Sequence, residues 1–441
     1  METGIKFSLI THLNMEFKNT LAFAQRLDAK DDLAHFRNRF IIPERNGIEQ
    51  IYFLGNSLGL QPKSTKQYIQ QVLDKWGQFG VEGFFEGADP WYHSHDQLID
   101  PLSLIVGALP HEIVVMNQLT VNLHLMMVSF YRPVGKKCKI LCEAKAFPSD
   151  QYMFETHLKH FNLDPHDIII EVAPLPGEHV TRTEDILRAI EVNKDELALV
   201  FFGGVNYYTG QLLDMKVITI SAHQAGAKAG FDLAHAAGNV PLSLHEWNVD
   251  FACWCSYKYL NTGPGAVGGV YIHERYHSDS SLQRFGGWWG YNKETRFNME
   301  KGFQPVMSAE GWQLSTPSLI LFACHKASLE IFVEAGMKNL YKKGTELSNY
   351  LLFLLNEINS QSTEKVIEIL TPETESEKGC QVSMLMLKNG SSIFKELGKR
   401  GVFADWREPN VIRVAPVPLY NSFEEVWKFA EIIRQLLQVE S

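Results

Sequence analysis

The chain has 441 residues, 45% hydrophobic and 21% charged, the balance of an ordinary globular protein with room for two domains and a large core. Its formal net charge of -10 argues against a broad basic surface for nucleic acid or anionic lipid, leaving scope for a local positive cluster that holds a phosphorylated small molecule. No apolar run reaches membrane-spanning length, the N-terminal METGIKFSLITHLNMEF lacks the basic-then-apolar pattern of a secretory signal, and Cys138, Cys142, Cys253, Cys255, Cys324 and Cys380 sit mostly in apolar segments, as free thiols of a reducing cytoplasm do.

In chain order, Tyr68, Val72 and Trp76 recur at helical spacing and predict a helix over Lys63–Gly80. A second helix is expected over Thr120–Tyr131. Strand-like and helical runs then alternate. The strand Lys139–Ala144 precedes a helix starting near Ser149, and the strand Leu197–Gly204 precedes one starting near Asp214. Short strands follow at Ala229–Ala234, Val249–Ser256 and Gly268–His273. Their runs are apolar on both faces, the pattern of a mainly parallel sheet covered by helices on each side. From Ser318 the order changes. Two long helices, Ser318–Glu334 and Met337–Asn359, lead into the strands CQVSMLML, GVFADW and VIRVAP and a last helix over Phe423–Val439. The expected fold class is therefore α/β: a large domain over residues 63–317 and a smaller α+β domain over 318–441, with residues 1–62 packing against the small one.

The chemistry concentrates in two strand ends. FDLAHAAGN places Asp232 at the end of one strand with His235 just beyond, and FACWCSYKYLNTGPG places Lys258 at the end of another, among Cys255, Tyr257 and Tyr259. Alone, such a lysine reads as one whose stem lies on apolar surface and whose amine reaches water, and Asp232 alone reads as a helix cap. Together, after successive strands of one sheet, they fall where open α/β sheets bind ligands. An amine held out of water can add to an aldehyde, and a carboxylate beside a pyridine nitrogen keeps it protonated, so the pair points to pyridoxal 5'-phosphate. Leu119 and Thr120 stand just before a helix, where free N–H groups favour an anion, although Thr120 alone is also an ordinary cap. Phe147 offers a flat face ahead of Ser149 and Asp150; a core aromatic followed by a cap is the local alternative.

Other patterns lack their context. Gly263–Gly268 matches G-x-G-x-x-G but leads into a strand instead of opening a helix. The His93–Asp96 run is read as a solvated helix start, with no metal expected. No G-x-S-x-G elbow or Walker lysine is present.

FLGNSLGLQPK (Phe53–Lys63), LTVNLH, FPSD, FDLAHAAGN, CWCSYKYLN and RVAPVPLYNSF (Arg413–Phe423) make the chain resemble the kynureninase family, in the class-V aminotransferase group with the type I pyridoxal-phosphate fold. The resemblance implies hydrolysis of L-kynurenine, with 3-hydroxy-L-kynurenine as the alternative substrate, to anthranilate or 3-hydroxyanthranilate and L-alanine by a homodimer. It makes Lys258 the Schiff-base lysine, Asp232 the pyridinium partner and Tyr257 a proton donor near bond cleavage. Leu119, Thr120 and Tyr257 would hold the phosphate, Phe147 would stack on the ring, and Asp150 and His235 would contact the cofactor or its surroundings. Trp288 would reach the phosphate of the neighbouring subunit, and Arg413 would grip the substrate α-carboxylate. The chain departs from the animal pattern at three positions: Gly203 replaces a serine at a cofactor-binding position, while Phe84 and Thr316 replace a histidine and an asparagine near the substrate ring, with Thr316 expected to contact the cofactor as well. The last two resemble bacterial-type enzymes, which prefer L-kynurenine to its 3-hydroxy derivative. A related transaminase or desulfurase is the alternative, and a desulfurase would need a mobile-loop cysteine that is not evident; a non-catalytic binding protein of the same fold is the other.

Overall fold

A computed structural model describes residues 16–438; Met1–Met15 and Val439, the expected end of the last helix, lie outside the described residues. Seven strands form the central sheet: β1 (Ile113–Val115), β2 (Lys139–Glu143), β3 (Ile169–Val172), β4 (Leu197–Gly203), β5 (Lys228–Asp232), β6 (Phe251–Trp254) and β7 (Gly269–Ile272). Their order is β1-β7-β6-β5-β4-β2-β3, parallel from β6 to β3, with β7 antiparallel to both of its neighbours. All four residues of β6 and of β7 are buried, so apolar runs here do mark strands covered on two faces.

The connections set where a ligand can enter. The chain passes from β2 to the edge strand β3, then returns to the other side of β2 as β4. This reversal opens a crevice at the carboxyl ends of β2 and β4. Helices Leu119–Phe130, Pro148–Leu158 and Met215–Gln224 begin within a residue of expectation. The last is fixed by Asp214, whose side chain accepts the Val217 N–H. The strand expected over Val249–Ser256 is shorter. Cys255 and Ser256 have already left the ladder and turn toward Lys258.

The C-terminal half carries a second, antiparallel sheet of β8 (Ile367–Ile369), β9 (Val382–Met386), β10 (Asp405–Arg407) and β11 (Val411–Val414), ordered β8-β9-β11-β10. Helices Leu319–Ala335, Met337–Gln361 and Phe423–Gln438 accompany it. GVFADW is not one strand, contrary to expectation. Val402–Phe403 pairs in parallel with Ile51–Tyr52, and after Ala404 the chain changes partner and joins the four-stranded sheet as β10. A bridge between Leu54 and Ala415 adds to the same seam, and Phe53 packs in one apolar cluster with Val382, Ile412 and Phe429. Among the described residues, no helix is long and apolar enough to cross a membrane.

Candidate active site

The crevice is lined by Glu143, Gly203 and Asp232 at the ends of β2, β4 and β5, by Leu119 and Thr120 at one helix start and by Phe147, Ser149 and Asp150 at another. Tyr207, His235, Tyr257 and Lys258 close it from the loops. Lys258 lies four residues past β6 in a bend, further along than a strand end. A second segment holds that bend: the Gly59 N–H donates to the Tyr257 carbonyl, and a Cβ on Gly59 would sit 2.4 Å from the Lys258 carbonyl oxygen. Only glycine allows this approach. Lys258 Nζ is 3.0 Å from His235 Nε2 and 5.8 Å from the centre of the Phe147 ring.

Burial dominates the electrostatics. It raises the pKa of Asp232, against which Lys258 and the Ala234 N–H favour the carboxylate. Asp150 is raised well above the ordinary range by burial and by its neighbours Asp232 and Glu143. Glu143 is pushed up to about 7, chiefly by burial, while Asn206 and the Gly203 N–H pull it down. His235 is held well below its usual value by burial and by Lys258 and Arg413, so its imidazole is neutral and its Nε2 accepts from the lysine. Burial also raises Tyr257, which keeps its phenol protonated.

The lining fits pyridoxal phosphate. The N-caps Gln118 and Phe147 make no side-chain bond to their helices, so two helix starts keep unsatisfied N–H groups beside Thr120 Oγ1 and Ser149 Oγ, which are 3.3 Å apart. That is a cradle for a phosphate. Asp150 Oδ1, in the cleft lining, is buried without a hydrogen-bond partner, as a polar atom that meets a ligand is. Amine, buried acid, aromatic face and anion cradle therefore meet in one cleft.

The remaining expected positions lie outside that lining. Arg413, on β11, is 1% exposed, with Nη1 donating to the carbonyl of the lining residue Tyr207. Phe84 packs edge-on against Trp91 and Trp289, with ring centres 5.4 and 6.0 Å away. Trp288 is exposed and touches Phe297 edge-on; Thr316 is exposed in the loop before helix Leu319–Ala335. Sequence reading missed Glu143 and Tyr207. Glu143 ends β2 as Asp232 ends β5, so the strand-end rule that found one applied equally to the other. Gly203 also gains a reason: a Cβ there would fall 2.8 Å from Glu143 Oε1, so the carboxylate occupies the place of the missing side chain. The expectation of a solvated His93–Asp96 run needs correction at His95, which is buried near Glu310. Its Nε2 accepts the Val115 N–H, so the other ring nitrogen carries the proton and neither has a lone pair for a metal. Glu112, His245 and His273 also converge, but His273 Nδ1 accepts the Arg275 N–H and Glu112 accepts those of Leu109 and Glu274.

Residues 340–433 match the family model described as the kynureninase C-terminal domain. Over 421 residues the chain is 54% identical to a kynureninase of Flavobacterium psychrophilum, covering 96% of this chain and 99% of that one. A kynureninase of Mus musculus is 45% identical over 430 residues, with 94% and 92% covered. Among solved structures, a cysteine desulfurase of Escherichia coli aligns with a TM-score of 0.72 at 13% identity, covering 92% and 99% of the two chains. One from Thermococcus onnurineus aligns at 0.71 and 16%, covering 88% and 95%. These last two share the fold. The cysteines are free, five of them buried and Cys138 partly exposed, and none lines the cleft.

Proposed function

The chain belongs to the kynureninase family, and on that premise we propose which of its residues bind and cleave the substrate. It is a pyridoxal-phosphate-dependent hydrolase of carbon–carbon bonds that converts L-kynurenine to anthranilate and L-alanine. The cofactor, when bound, supplies an aldehyde that captures amines and a ring that withdraws electrons from the bonds at the substrate Cα. The observation that carries the assignment of roles is the convergence of Lys258, His235 and Asp232 in the cleft at the sheet's switch point.

Lys258 is the amine that holds the cofactor and, once the substrate amine has taken its place, moves the proton at the substrate Cα. Its contact with neutral His235 lets Nζ act without a second positive charge beside it. Asp232 would keep a proton on the ring nitrogen, with Asp150 beside Asp232 in the same lining. Phe147 covers the ring face. The N–H of Leu119 and the hydroxyls of Thr120 and Tyr257 hold the phosphate, and Tyr257, kept protonated by burial, donates its proton near the breaking Cβ–Cγ bond. Gly203, which would contact the cofactor, leaves room for the Glu143 carboxylate in the lining. Arg413 receives the α-carboxylate in a planar fork. Phe84 and Thr316 bound the substrate ring, and Phe84, which offers no hydrogen bond to a ring hydroxyl, favours L-kynurenine over 3-hydroxy-L-kynurenine.

The working unit is a homodimer in the cytoplasm, with Trp288 reaching the phosphate of the neighbouring subunit; its exposure supports that role. Residues 63–317 form the cofactor-binding domain and 318–441 the small domain, with the segment 1–62 packing against the small one; the pairing of Ile51–Tyr52 with Val402–Phe403 supports this division. The partner is a small amino acid, neither nucleic acid nor membrane. The test of the roles is Lys258→Ala, which abolishes anthranilate release and the reducible covalent link to cofactor seen by mass; a variant that keeps both overturns the assignment.

A further inference from the structure

The sequence DWREPNVIR places two arginines and an aspartate on adjacent strands. In a strand, alternate residues share a face, so Asp405 and Arg407 point the same way from β10 while Trp406 points the other. The antiparallel register puts Arg413 of β11 directly opposite Asp405. The ladder itself therefore assembles the cluster. Asp405 Oδ2 accepts from Arg413 Nε at 2.7 Å, from Arg413 Nη2, and from Arg407 Nε at 3.1 Å. On its other flank, Arg413 Nη1 donates to the Tyr207 carbonyl.

A guanidinium has five N–H donors. Asp405 takes one from Nε and one from Nη2, and Tyr207 takes one from Nη1. One hydrogen remains on each terminal nitrogen; with the Tyr207 carbonyl on the flank away from Asp405, an incoming carboxylate could take both end-on in two parallel bonds. Charge follows the same logic. Two guanidinium groups against one carboxylate leave a single positive charge, which an incoming carboxylate neutralises. Asp405 thus makes the burial of Arg413 tolerable without using up its charge or its fork.

We propose that Asp405 is a positioning residue for substrate binding, clamping the Nε edge of Arg413 so that the open end of its guanidinium is held ready for the α-carboxylate. The inference rests on the reading of Arg413 as the carboxylate-binding arginine. A clamp of this kind serves ground state and transition state alike, so its loss raises KM and leaves kcat nearly unchanged.

The experiment measures steady-state kinetics of the holoenzyme and its Asp405→Ala and Asp405→Asn variants with L-kynurenine, and inhibition by L-alanine and by anthranilate. Asp405→Ala is expected to raise KM about tenfold or more, with kcat within about twofold. Asp405→Asn, which keeps an acceptor but loses the charge, falls between wild type and alanine. The inhibition constant for L-alanine, which carries the α-carboxylate, rises in parallel, while that for anthranilate, which lacks the α-amino-acid group, stays put. An unchanged or lower KM overturns the proposal, the lower value showing that Asp405 competes with substrate for Arg413. A rise in both inhibition constants together, or a fall in kcat with KM constant, also overturns it. Should the alanine variant fail to fold, the asparagine variant decides by the same criteria. A wild-type enzyme that does not cleave L-kynurenine would instead sink the functional reading itself.

Discussion

At the scale of single residues, the cleft is a problem of buried charge. Glu143, Asp150 and Asp232 line it together with Lys258. Because Glu143 titrates near 7 in the folded protein, compared with 4.5 for a free carboxyl, the folded state binds its proton more tightly than the unfolded state. Its contribution to stability is then full below about pH 4.5 and is lost as pH rises toward and through 7. In cofactor-free protein, melting curves from pH 5 to 8 should show Glu143→Gln losing less stability than wild type over that range, by up to about 3 kcal/mol as an upper bound. Parallel curves would show that Glu143 is ionised throughout. Gln also loses one acceptor, so the variant starts lower; the slope is the readout. The lysine and Asp232 were legible in the sequence because their residue types and flanking strands are specific. Glu143 was legible by the same rule but sat in an apolar run that reads as core. Asp405 was not legible, since its role depends on a cross-strand register that sequence alone leaves open.

Among elements, the bend that carries Lys258 illustrates how distant segments set local geometry. Lys258 lies beyond its strand because Ser256 and Tyr257 turn out of the ladder, and Gly59 from the N-terminal segment props the turn. Gly59→Ala should therefore displace the Lys258 carbonyl, lowering stability by roughly 1–3 kcal/mol and cutting turnover at least as severely as it weakens cofactor retention. Thermal melts and cofactor titration check this; a fully active, equally stable variant would show that the segment moves freely. Helix starts were readable within a residue because caps and apolar spacing are local signals. The division of GVFADW between two sheets was not, because both halves have strand composition and only their tertiary partners differ.

For the whole molecule, the fold class was readable from alternating apolar strands and helices, but the seventh strand's antiparallel insertion was not. Nor does one chain complete the site as proposed, since Trp288 lies outside the cleft it is assigned to serve. Mixing Lys258→Ala with Trp288→Ala protein under conditions that exchange subunits should restore activity above that of either alone, because one mixed site carries both intact residues. No recovery despite proven exchange would place Trp288 in its own subunit's site or in none. The most direct measurement for the account as a whole incubates the purified, cofactor-loaded protein with L-kynurenine and follows anthranilate by fluorescence and L-alanine by amino-acid analysis. The account predicts equimolar release of the two, dependent on Lys258; bound cofactor with no release of either product would contradict it.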